Sequence, residues 1–586
     1  MNRRPATLLL VVALVSSVHV TAADVADAMA SCSRSHTDRC VGVDLSREDL
    51  RHWNLRGADL RGANLSRADL RGVDLRNARL DRANLARADL RTADVRDAGF
   101  ATAALNEADL RRARLDRARF SAARLGSADL RGADFGTSFW SDADLTGART
   151  DGGDSSVPQA GRCDTTMPSG VVAACAFALG AGAPAVAEPV RTRPTVAVAL
   201  TRLAIRLVQR DRMNPPVGSR VYAYTGLALA ETVQPNSIAL NALAPIPAPP
   251  VTVDWEVVAA SGAPLVPRAL TQVVSTKNAY AALRDDVLAA AVRRIDAATF
   301  AGSVKYGRGI ASQLVAWAGT DGFATTRDRP YTPPAGPGRW VPTPTTYQGA
   351  QEPYWGTLRP YTAIPATACV AGPPPEYSTD PRSAYMQQAR TVYRTSRNLT
   401  RGQKAIARFW ADDRSRTGTP TGHWVATTNI AIARRDLDLG DAARLHGLVG
   451  AAAGNAFIAT WATKFRYNQV RPVTTIRQLI DPHWAPYLNT PPFPDWVSGH
   501  ATVSGAASAV LSGVVGTMRY RDPGFSTGAD VRSVFAVTPR TYPSFRAAAS
   551  EAAKSREYAG IHYPASDAEG LRVGTCLGNA ALAARR

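Results

Sequence analysis

Lysine is scarce in this sequence, although the chain as a whole is strongly basic. Only five of the 69 basic residues are lysines, and the formal net charge is +20 over 586 residues. Runs of five to eight Lys and Arg residues, typical of nucleic-acid-binding segments, are absent, as are zinc-finger and RNA-binding motifs. We therefore expect no nucleic-acid partner and interpret the charge as a solvated basic surface. An anionic surface or an anionic substrate is the alternative.

The N-terminus lacks an apolar stretch of the roughly 20 residues that a membrane span requires. A shorter one, Leu8 to Val15, follows two arginines and precedes small residues at Val20 to Ala22, which is typical of a cleaved signal peptide over residues 1–22. We therefore expect a secreted or periplasmic protein.

Cysteines are few, but their number is even, and in an exported protein the six are expected to form disulfides. Their spacing favours two pairs, Cys32 with Cys40 and Cys163 with Cys175. No CxxC motif or Cys/His cluster of the metal-binding type is present.

From Val43 the sequence repeats with a period of five residues. A central apolar residue, usually leucine, recurs twenty-one times without a slip from Leu45 to Leu145, preceded by a small residue, usually Ala, and often by Asp or Asn. This period fits neither a helix nor a strand, so each repeat must form one side of a turning coil. The pattern resembles the pentapeptide-repeat family, A(D/N)LXX. The resemblance implies a right-handed quadrilateral β-helix over residues 43–149, with residues 23–42 as the cap of its first coil.

The repeat region does not carry the acidic surface with which some pentapeptide proteins mimic DNA, because residues 41–150 contain 20 Arg against 17 Asp plus Glu. A rigid spacer, and a surface that binds a cell-surface or protein partner, remain as interpretations. Gly, Ser, Pro and Ala then indicate a linker over residues 150–194. Within it, residues 167–188 look like a second signal peptide; a relic of a gene fusion, a buried apolar segment or a membrane-associating stretch would each explain them.

Residues 195–586 are predicted to form a mainly α-helical domain, because segments rich in Ala, Leu and Val have helical spacing and strand-like alternation is scarce. The clearest helical segments are Arg220–Val233, Tyr280–Phe300, Arg401–Asp412, Thr428–Thr463 and Arg546–Tyr558, and a proline-rich covering runs from Arg329 to Pro360.

Lys464 and Arg471 are seven residues apart, which is two helical turns, and Pro472 follows directly. We expect both side chains on one helix face, directed toward a common point, with the helix ending at Pro472. Two solvated bases on a helix face would be the plain alternative.

Ser498, Gly499 and His500 precede the small and apolar run Ala501–Val514, which is predicted to be a buried helix. They would therefore lie at a helix N-terminus, where free N–H groups favour an anion. Gly499 would let the backbone approach an oxygen, and His500 could carry a proton. A helix cap with an incidental histidine is the alternative.

Arg556 lies near the end of the helix predicted from Arg546, and Gly560 can terminate that helix with a left-handed residue. His562 would then follow on the next turn, where its imidazole could act as a nucleophile or as a ligand. A polar helix end without a ligand is the alternative.

Together the three segments, Lys-x6-Arg-Pro, Pro-x3-Ser-Gly-His and Ser-Arg-x3-Gly-x-His, resemble the signature blocks of vanadium-dependent haloperoxidases and the type 2 phosphatidic acid phosphatase superfamily. The resemblance implies a helical-bundle domain that binds vanadate, with His562 bonded to the metal and His500 as the acid–base residue. The residues implied to hold the vanadate oxygens are Lys464, Arg471, Ser498, the Gly499 amide and Arg556.

Further positions extend the resemblance. Phe409 to Asp413 is similar to a haloperoxidase segment whose aspartate supports the site, which implies a supporting role for Asp413. Trp461 and Phe493 match aromatic positions beside the halide, although core packing would also explain them. One position departs from the pattern: phosphatases and many haloperoxidases carry Asp four residues after the ligand histidine, where this chain has Ser566, with Asp567 one residue later.

The resemblance implies an exported enzyme that oxidises halide with hydrogen peroxide to hypohalous acid, with a small organic molecule as a further acceptor. A secreted acid phosphatase that hydrolyses phosphomonoesters through a phosphohistidine at His562 is the first alternative. A surface-binding repeat scaffold with a degenerate catalytic domain is the second.

Overall fold

The computed structural model describes residues 40–136, 138–140, 143–152, 167–169, 193–292, 294–327, 329–364, 369–413, 417–524 and 538–585. The chain divides into two compact units, Met1–Ala174 and Cys175–Arg586. The expected signal peptide, most of the expected cap and linker, and most of the signal-like segment 167–188 lie outside the described residues.

The repeat unit is a coil in which residues twenty positions apart stack on one another. Parallel bridges join Asp44 to Asn64 and Asn64 to Asn84, and the backbone N–H of Leu65 donates to the Asn84 carbonyl at 2.7 Å. Because each repeat has five residues, four repeats complete one turn of the coil. The inward leucine and alanine side chains are buried along its length, as the period predicted.

Aromatic residues replace leucine on one side of this coil and form a continuous stack. The ring centroids of Phe100 and Phe120 are 4.8 Å apart, and those of Phe120 and Trp140 are 4.2 Å apart. At the outward turns the last residue of a repeat has a positive φ, for example 69° at Gly62 and 68° at Gly72. Glycine adopts this conformation without steric cost, which explains why it recurs at that position.

The unit from Cys175 onward is mainly α-helical, as predicted, and its described residues include one short antiparallel hairpin that pairs Tyr520 with Tyr542. The elements are α1 Thr195–Arg210, α2 Pro215–Val233, α3 Trp255–Gly262, α4 Leu265–Ala269, α5 Val274–Ala291, α6 Ala297–Gly319, α7 Phe323–Thr326, a 3-10 turn Trp355–Thr357, α8 Ala384–Arg397, α9 Arg401–Phe409, α10 Thr419–Arg435, α11 Leu439–Tyr467, α12 Pro472–Leu479, α13 Gly499–Val515, β1 Tyr520–Asp522, β2 Arg540–Tyr542, α14 Phe545–Ala559 and α15 Pro564–Ala583.

Two predicted helices are each broken in the structure. The segment Thr428–Thr463 belongs to α10 and α11, because Asp436 turns left-handed at φ 47° and Asp438 caps the next helix through the Asp441 N–H. The segment Tyr280–Phe300 belongs to α5 and α6, and Asp296 caps the second of these. In both cases the apolar periodicity of the sequence continues past an aspartate that caps a helix. The capping aspartate, rather than the periodicity, sets where the second helix begins.

The core of the helical unit forms where α11 packs against α2 and α13, and α13 packs against α15. Glycines allow two of these approaches: a Cβ at Gly226 would collide with the His446 carbonyl, and one at Gly574 with the Thr502 carbonyl. The backbones are therefore too close for a larger side chain at either glycine. None of the helices in the described parts of the chain combines the length and apolar character needed to cross a membrane.

A disulfide joins Cys369 to Cys576 across a sequence separation of 207, a pair that the spacing argument did not identify. Cys40 is also disulfide-bonded. Cys32, Cys163 and Cys175 lie outside the described residues, so the pairing of Cys163 with Cys175 stays a prediction, as does the identity of the partner of Cys40.

Candidate active site

A cavity of about 270 Å³ opens where the three sequence blocks meet. Gly499, His500, Arg556 and His562 line it, together with Trp461 and Phe493. Lys464, Arg471 and Ser498 are fully buried and contact or adjoin these lining residues. The structure therefore brings all the residues implied to hold an oxyanion into one place.

Lys464 lies in the last turn of α11, where no water reaches it. Its Nζ donates to the backbone carbonyls of Pro494 and Asp495, each at 2.8 Å, and lies 5.1 Å from the centre of the Phe493 ring. Burial lowers the pKa of Lys464 well below its usual value, and the nearby Arg471 charge adds to this. An anion in the cavity would oppose both effects, because it would favour the charged ammonium.

Arg471 reaches the site by a different route from the one that its spacing predicted. Helix α11 ends at Asn468, which is left-handed at φ 52° and donates its N–H to the Lys464 carbonyl. Arg471 is instead an extended residue that precedes α12, and Pro472 begins that helix rather than ending the previous one. Lys464 and Arg471 converge through this turn and do not share a helix face.

The Arg471 guanidinium is held by three acceptors. Its Nε donates to the Phe493 carbonyl at 2.7 Å, and its Nη1 donates to the Ile561 carbonyl at 2.8 Å and to His562 Nε2 at 3.1 Å. Among the described residues its Nη2 has no hydrogen-bond partner although it is buried. Burial lowers the pKa of Arg471 to about 10, so the group remains a cation near neutral pH.

Ser498 caps α13 as predicted, and its hydroxyl accepts the Ala501 N–H at 3.5 Å. A Cβ at Gly499 would meet Trp461 at 3.7 Å, which is ordinary contact, so packing does not demand glycine there. Gly499 itself lines the cavity, so the N-terminus of α13 lies at its wall. An anion is stabilised at such a helix N-terminus.

His500 lines the cavity. Its Nε2 lies 3.7 Å from Asp412 Oδ2 and has no hydrogen-bond partner within the described ranges. Burial lowers the pKa of His500 well below its usual value, and the charge of Arg556 adds to this. The neutral imidazole can therefore accept a proton at Nε2.

Arg556 lies in the last turn of α14, which Gly560 terminates at φ 78°, as predicted. The guanidinium donates through Nε to Ser555 Oγ at 2.9 Å and through Nη2 to the Trp410 carbonyl. Burial lowers the pKa of Arg556, while Asp412 opposes this. Arg556 thus adds a third buried cation beside the cavity.

His562 follows Gly560, and a carboxylate that the sequence comparison did not identify lies beside it. Its Nδ1 is 2.9 Å from Asp495 Oδ1 and 3.3 Å from Ser566 Oγ. Asp567 is buried near Ser498, which interacts with its carboxylate. Asp495, from the loop before α13, is therefore the carboxylate in contact with His562, while Ser566, four residues after His562, hydrogen-bonds to the same nitrogen.

Asp495 lies within the Pro-x3-Ser-Gly-His block, so the sequence places it near the site. Nothing in that block predicts the direction of its side chain. Burial raises the pKa of Asp495 to about 6, although Arg471 and Lys464 oppose this. Burial has the opposite effect on the basic imidazole and lowers the pKa of His562 well below its usual value.

Of the two adjacent acids, Asp412 is buried and Asp413 is exposed. Both line the cavity. Asp412 lies beside His500 and also contacts the ring of His423. The supporting role of Asp413 stays a prediction, and Asp412 is a second candidate, which the sequence could not distinguish because the two residues are neighbours.

Trp461 and Phe493 form an aromatic wall. Their ring centroids are 4.9 Å apart, and Lys464 Nζ lies 5.9 Å from the Trp461 centroid. The Trp461 indole N–H donates to the Gln351 carbonyl at 3.1 Å. Both rings line the cavity near the buried Lys464, and their position beside a halide stays a prediction.

Both units of the chain are similar to known proteins. Residues 444–586 match a family profile described as the VCPO second helical-bundle domain, and the pentapeptide-repeat profile matches residues 39–77, 58–97 and 98–136. Vanadium chloroperoxidase from Curvularia inaequalis is 33% identical over 150 residues, which is 21% of this chain and 25% of that protein.

Solved structures extend the similarity. A bacterial vanadium-dependent iodoperoxidase is similar at a TM-score of 0.61 and 32% identity, over 68% of this chain and 98% of that one. A bacterial vanadium-dependent chloroperoxidase in its holo form has a TM-score of 0.52 at 16% identity over the same shares, which shows the fold alone. With these relatives and the three blocks assembled at one cavity, the chain belongs to the vanadium-dependent haloperoxidase family and carries an N-terminal pentapeptide-repeat region.

Proposed function

We propose that the helical unit is a haloperoxidase that oxidises halide with hydrogen peroxide to hypohalous acid. The observation that carries this proposal is the meeting of three buried cations, Lys464, Arg471 and Arg556, with the imidazole of His562 at one cavity. Burial of three cations is costly, and the nearby carboxylates Asp495 and Asp412 offset only part of that charge. An oxyanion in the cavity would stabilise all three through charge-assisted hydrogen bonds.

Vanadate fits the donors that are present. Arg471 Nη2 is a buried donor without a hydrogen-bond partner within the described residues, and the Lys464 ammonium has a third N–H beyond the two that its carbonyl contacts use. Together with Ser498, the Gly499 amide and Arg556, these groups would hold the oxygens, and His562 Nε2 would bind the metal. Bound vanadate would supply a Lewis-acidic centre that activates peroxide without a change of oxidation state.

The residues of the chain then have separate tasks. Lys464 and Arg471 stabilise negative charge in a buried site, where electrostatic interactions are strong. His500 accepts a proton from peroxide and returns one later, and the Asp412 carboxylate, whose Oδ2 lies 3.7 Å from His500 Nε2, stabilises the protonated ring. The buried wall of Trp461 and Phe493 limits the access of water to Lys464.

Iodide is the first halide to test, because the iodoperoxidase is 32% identical and almost completely covered by this chain. The aromatic wall is compatible with chloride and bromide as well. A small organic molecule as halogen acceptor remains a proposal.

A secreted acid phosphatase is the second candidate, and one observation favours it. A phosphohistidine mechanism needs an oriented imidazole, and Asp495 lies 2.9 Å from His562 Nδ1, as such orientation requires. His562 would then attack phosphorus, and His500 would protonate the leaving group.

The deciding experiment loads the full-length protein with vanadate and measures iodide and bromide oxidation by peroxide, beside hydrolysis of an aryl phosphate without vanadate. We expect halide oxidation that is absent in His562→Ala and vanadium that co-purifies with the wild-type chain. Phosphate release without halide oxidation would reverse the order of the two candidates. Inactivity of the loaded protein in both assays would favour the third hypothesis, a binding scaffold with a degenerate catalytic domain.

We also propose export through the N-terminal signal segment. The Cys369–Cys576 disulfide supports this, since such bonds persist in oxidising compartments.

For the repeat unit we propose a spacer role. Many of its arginines pair with the aspartate two residues earlier, for example Arg71 with Asp69 at 2.6 Å and Arg91 with Asp89 at 2.6 Å, which leaves alternating rather than single-signed charge. Full activity in a protein that lacks residues 23–150 would support the spacer; retention of the wild-type protein, but not of this truncated one, on a cell-surface fraction would support a binding role.

A further inference from the structure

The direction of one hydrogen bond establishes which nitrogen of His562 carries its proton. Arg471 Nη1 lies 3.1 Å from His562 Nε2, and a guanidinium can only donate. Nε2 must therefore present its lone pair, and the proton of the neutral ring lies on Nδ1. Nε2 therefore accepts from Arg471, and the protonated Nδ1 is the nitrogen that contacts Asp495 and Ser566.

Two acceptors compete for that Nδ1 proton. Asp495 Oδ1 is 2.9 Å away and Ser566 Oγ is 3.3 Å away. The Ser566 hydroxyl also donates to the backbone carbonyl of Asp495 at 3.2 Å. Only the Ser566 contact has the geometry of a hydrogen bond. The Asp495 contact is shorter, and neither oxygen of this buried carboxylate has a hydrogen-bond partner among the described residues. A rotation of the imidazole toward Asp495 would give Oδ1 a charge-assisted bond, which is the stronger kind.

Asp495 is held in place independently of His562. Its side chain is fully buried, and its N–H donates to the Gln469 carbonyl at 3.0 Å. Its own carbonyl accepts Lys464 Nζ at 2.8 Å. The backbone of Asp495 is therefore anchored by contacts that do not involve His562. Its buried carboxylate also lies 3.7 Å from Arg471 Nη1, which restricts its position near the imidazole.

We propose that Asp495 is the positioning residue of His562. It would take the role of the acid that the family resemblance implies four positions after the ligand histidine, where this chain has Ser566. The Asp495 carbonyl accepts the Lys464 ammonium, and the Asp495 side chain contacts the His562 ring, so this one residue contacts two groups of the site. The functional consequence rests on the proposed vanadate site, whereas the contact between Asp495 and His562 is a property of the protein alone.

The test exchanges the two residues in the full-length chain. Asp495→Ser removes the carboxylate, and Asp495→Ser combined with Ser566→Asp returns one from α15, where the Ser566 oxygen is already 3.3 Å from Nδ1. Two quantities are measured: the Hδ1 resonance of His562 in 15N-histidine-labelled protein without vanadate, and the equilibrium affinity for vanadate.

We expect a strongly downfield Hδ1 resonance in the wild-type protein, its loss or upfield shift in Asp495→Ser, and its return in the exchanged double variant. Vanadate affinity should fall about 10- to 100-fold in Asp495→Ser, as for other residues that orient metal ligands, and recover in the double variant. Ser566→Ala is the matched control and should leave both quantities near the wild-type values.

Asp495→Asn keeps the shape of the side chain and serves if Asp495→Ser does not fold. It too should weaken vanadate binding and shift the Hδ1 resonance. An unchanged resonance and unchanged affinity in Asp495→Asn, or loss of both in Ser566→Ala alone, would overturn the inference. A wild-type protein that binds no vanadate would instead count against the proposed function and leave the resonance test decisive for Asp495.

Discussion

His423 Nδ1 lies 3.0 Å from Asp412 Oδ1 in the interior of the helical unit. The other ring nitrogen of His423 is 3.2 Å from Asp522 Oδ2, and Trp410 stacks on the ring at 4.3 Å. Burial alone would lower the pKa of His423, but the two carboxylates outweigh it and raise the pKa to about 10. At neutral pH His423 is therefore an imidazolium in contact with Asp412, whose other oxygen approaches His500.

Removing this imidazolium should destabilise the helical unit. His423→Ala would leave Asp412 and Asp522 as buried carboxylates without their cation, and loss of one partner of a buried ion pair costs about 3–5 kcal/mol. Urea unfolding followed by the helical circular dichroism signal measures this free energy. His483→Ala is the control, because His483 is exposed and should change stability little. An equal, small effect for both variants would show that the His423 pair contributes no net stability.

The same pair should make stability depend on pH in the alkaline range. Because the folded pKa of His423 is raised from 6.5 to about 10, its contribution is fully present below about pH 6.5 and is lost as pH rises toward 10. The stability difference between the wild-type protein and His423→Gln should therefore shrink by about 1.4 kcal/mol per pH unit in this window. A difference that stays constant from pH 6.5 to 10 would mean that His423 is neutral in the folded protein.

Asp412 and Asp413 should differ in their effect on halide oxidation. Asp412 is buried beside His500, while Asp413 is exposed. We expect Asp412→Asn to lower kcat about tenfold, a part of the roughly 10²- to 10⁴-fold that positioned acid–base groups contribute, and Asp413→Asn to lower it less. Steady-state kinetics of the vanadate-loaded variants decides between them. The reverse order would support the role that the family resemblance implied for Asp413.

Replacing Arg471 by lysine should weaken vanadate binding although the charge is kept. The guanidinium makes three hydrogen bonds and has a further donor at Nη2, and a single ammonium cannot reproduce that geometry. Each lost bond to a charged group is worth about 1.5–3 kcal/mol, or roughly tenfold or more in affinity. Arg466→Lys, at an exposed position of α11, is the matched control and should bind vanadate as the wild-type protein does.

The Cys369–Cys576 disulfide should stabilise the helical unit, because it closes a loop across a sequence separation of 207. Cys369→Ser combined with Cys576→Ser is expected to cost about 2–5 kcal/mol. Unfolding with and without reductant measures this: the reductant should lower the stability of the wild-type protein and leave that of the double variant unchanged. Equal stability of the two proteins without reductant would contradict the prediction.

Local signals predicted much of the structure. A period of five residues produced the coil, because each repeat needs only its neighbours to bury its leucine. Ser498 and Gly560 marked helix ends that depend on a few adjacent backbone groups. Where periodicity met a competing cap, as at Asp438, the prediction of one long helix was wrong.

The amino-acid sequence by itself determined the repeat coil, the helical character of the second half and the identity of the groups that surround the oxyanion site. Only the tertiary structure decided that Arg471 arrives from a turn, that Asp495 contacts His562, and that Asp412 meets His423. These relationships depend on side-chain direction and on contacts between residues far apart in the chain, such as Asp522 with His423. Periodicity and spacing describe only residues that are neighbours along the backbone. They therefore cannot predict which two buried charged side chains come into contact.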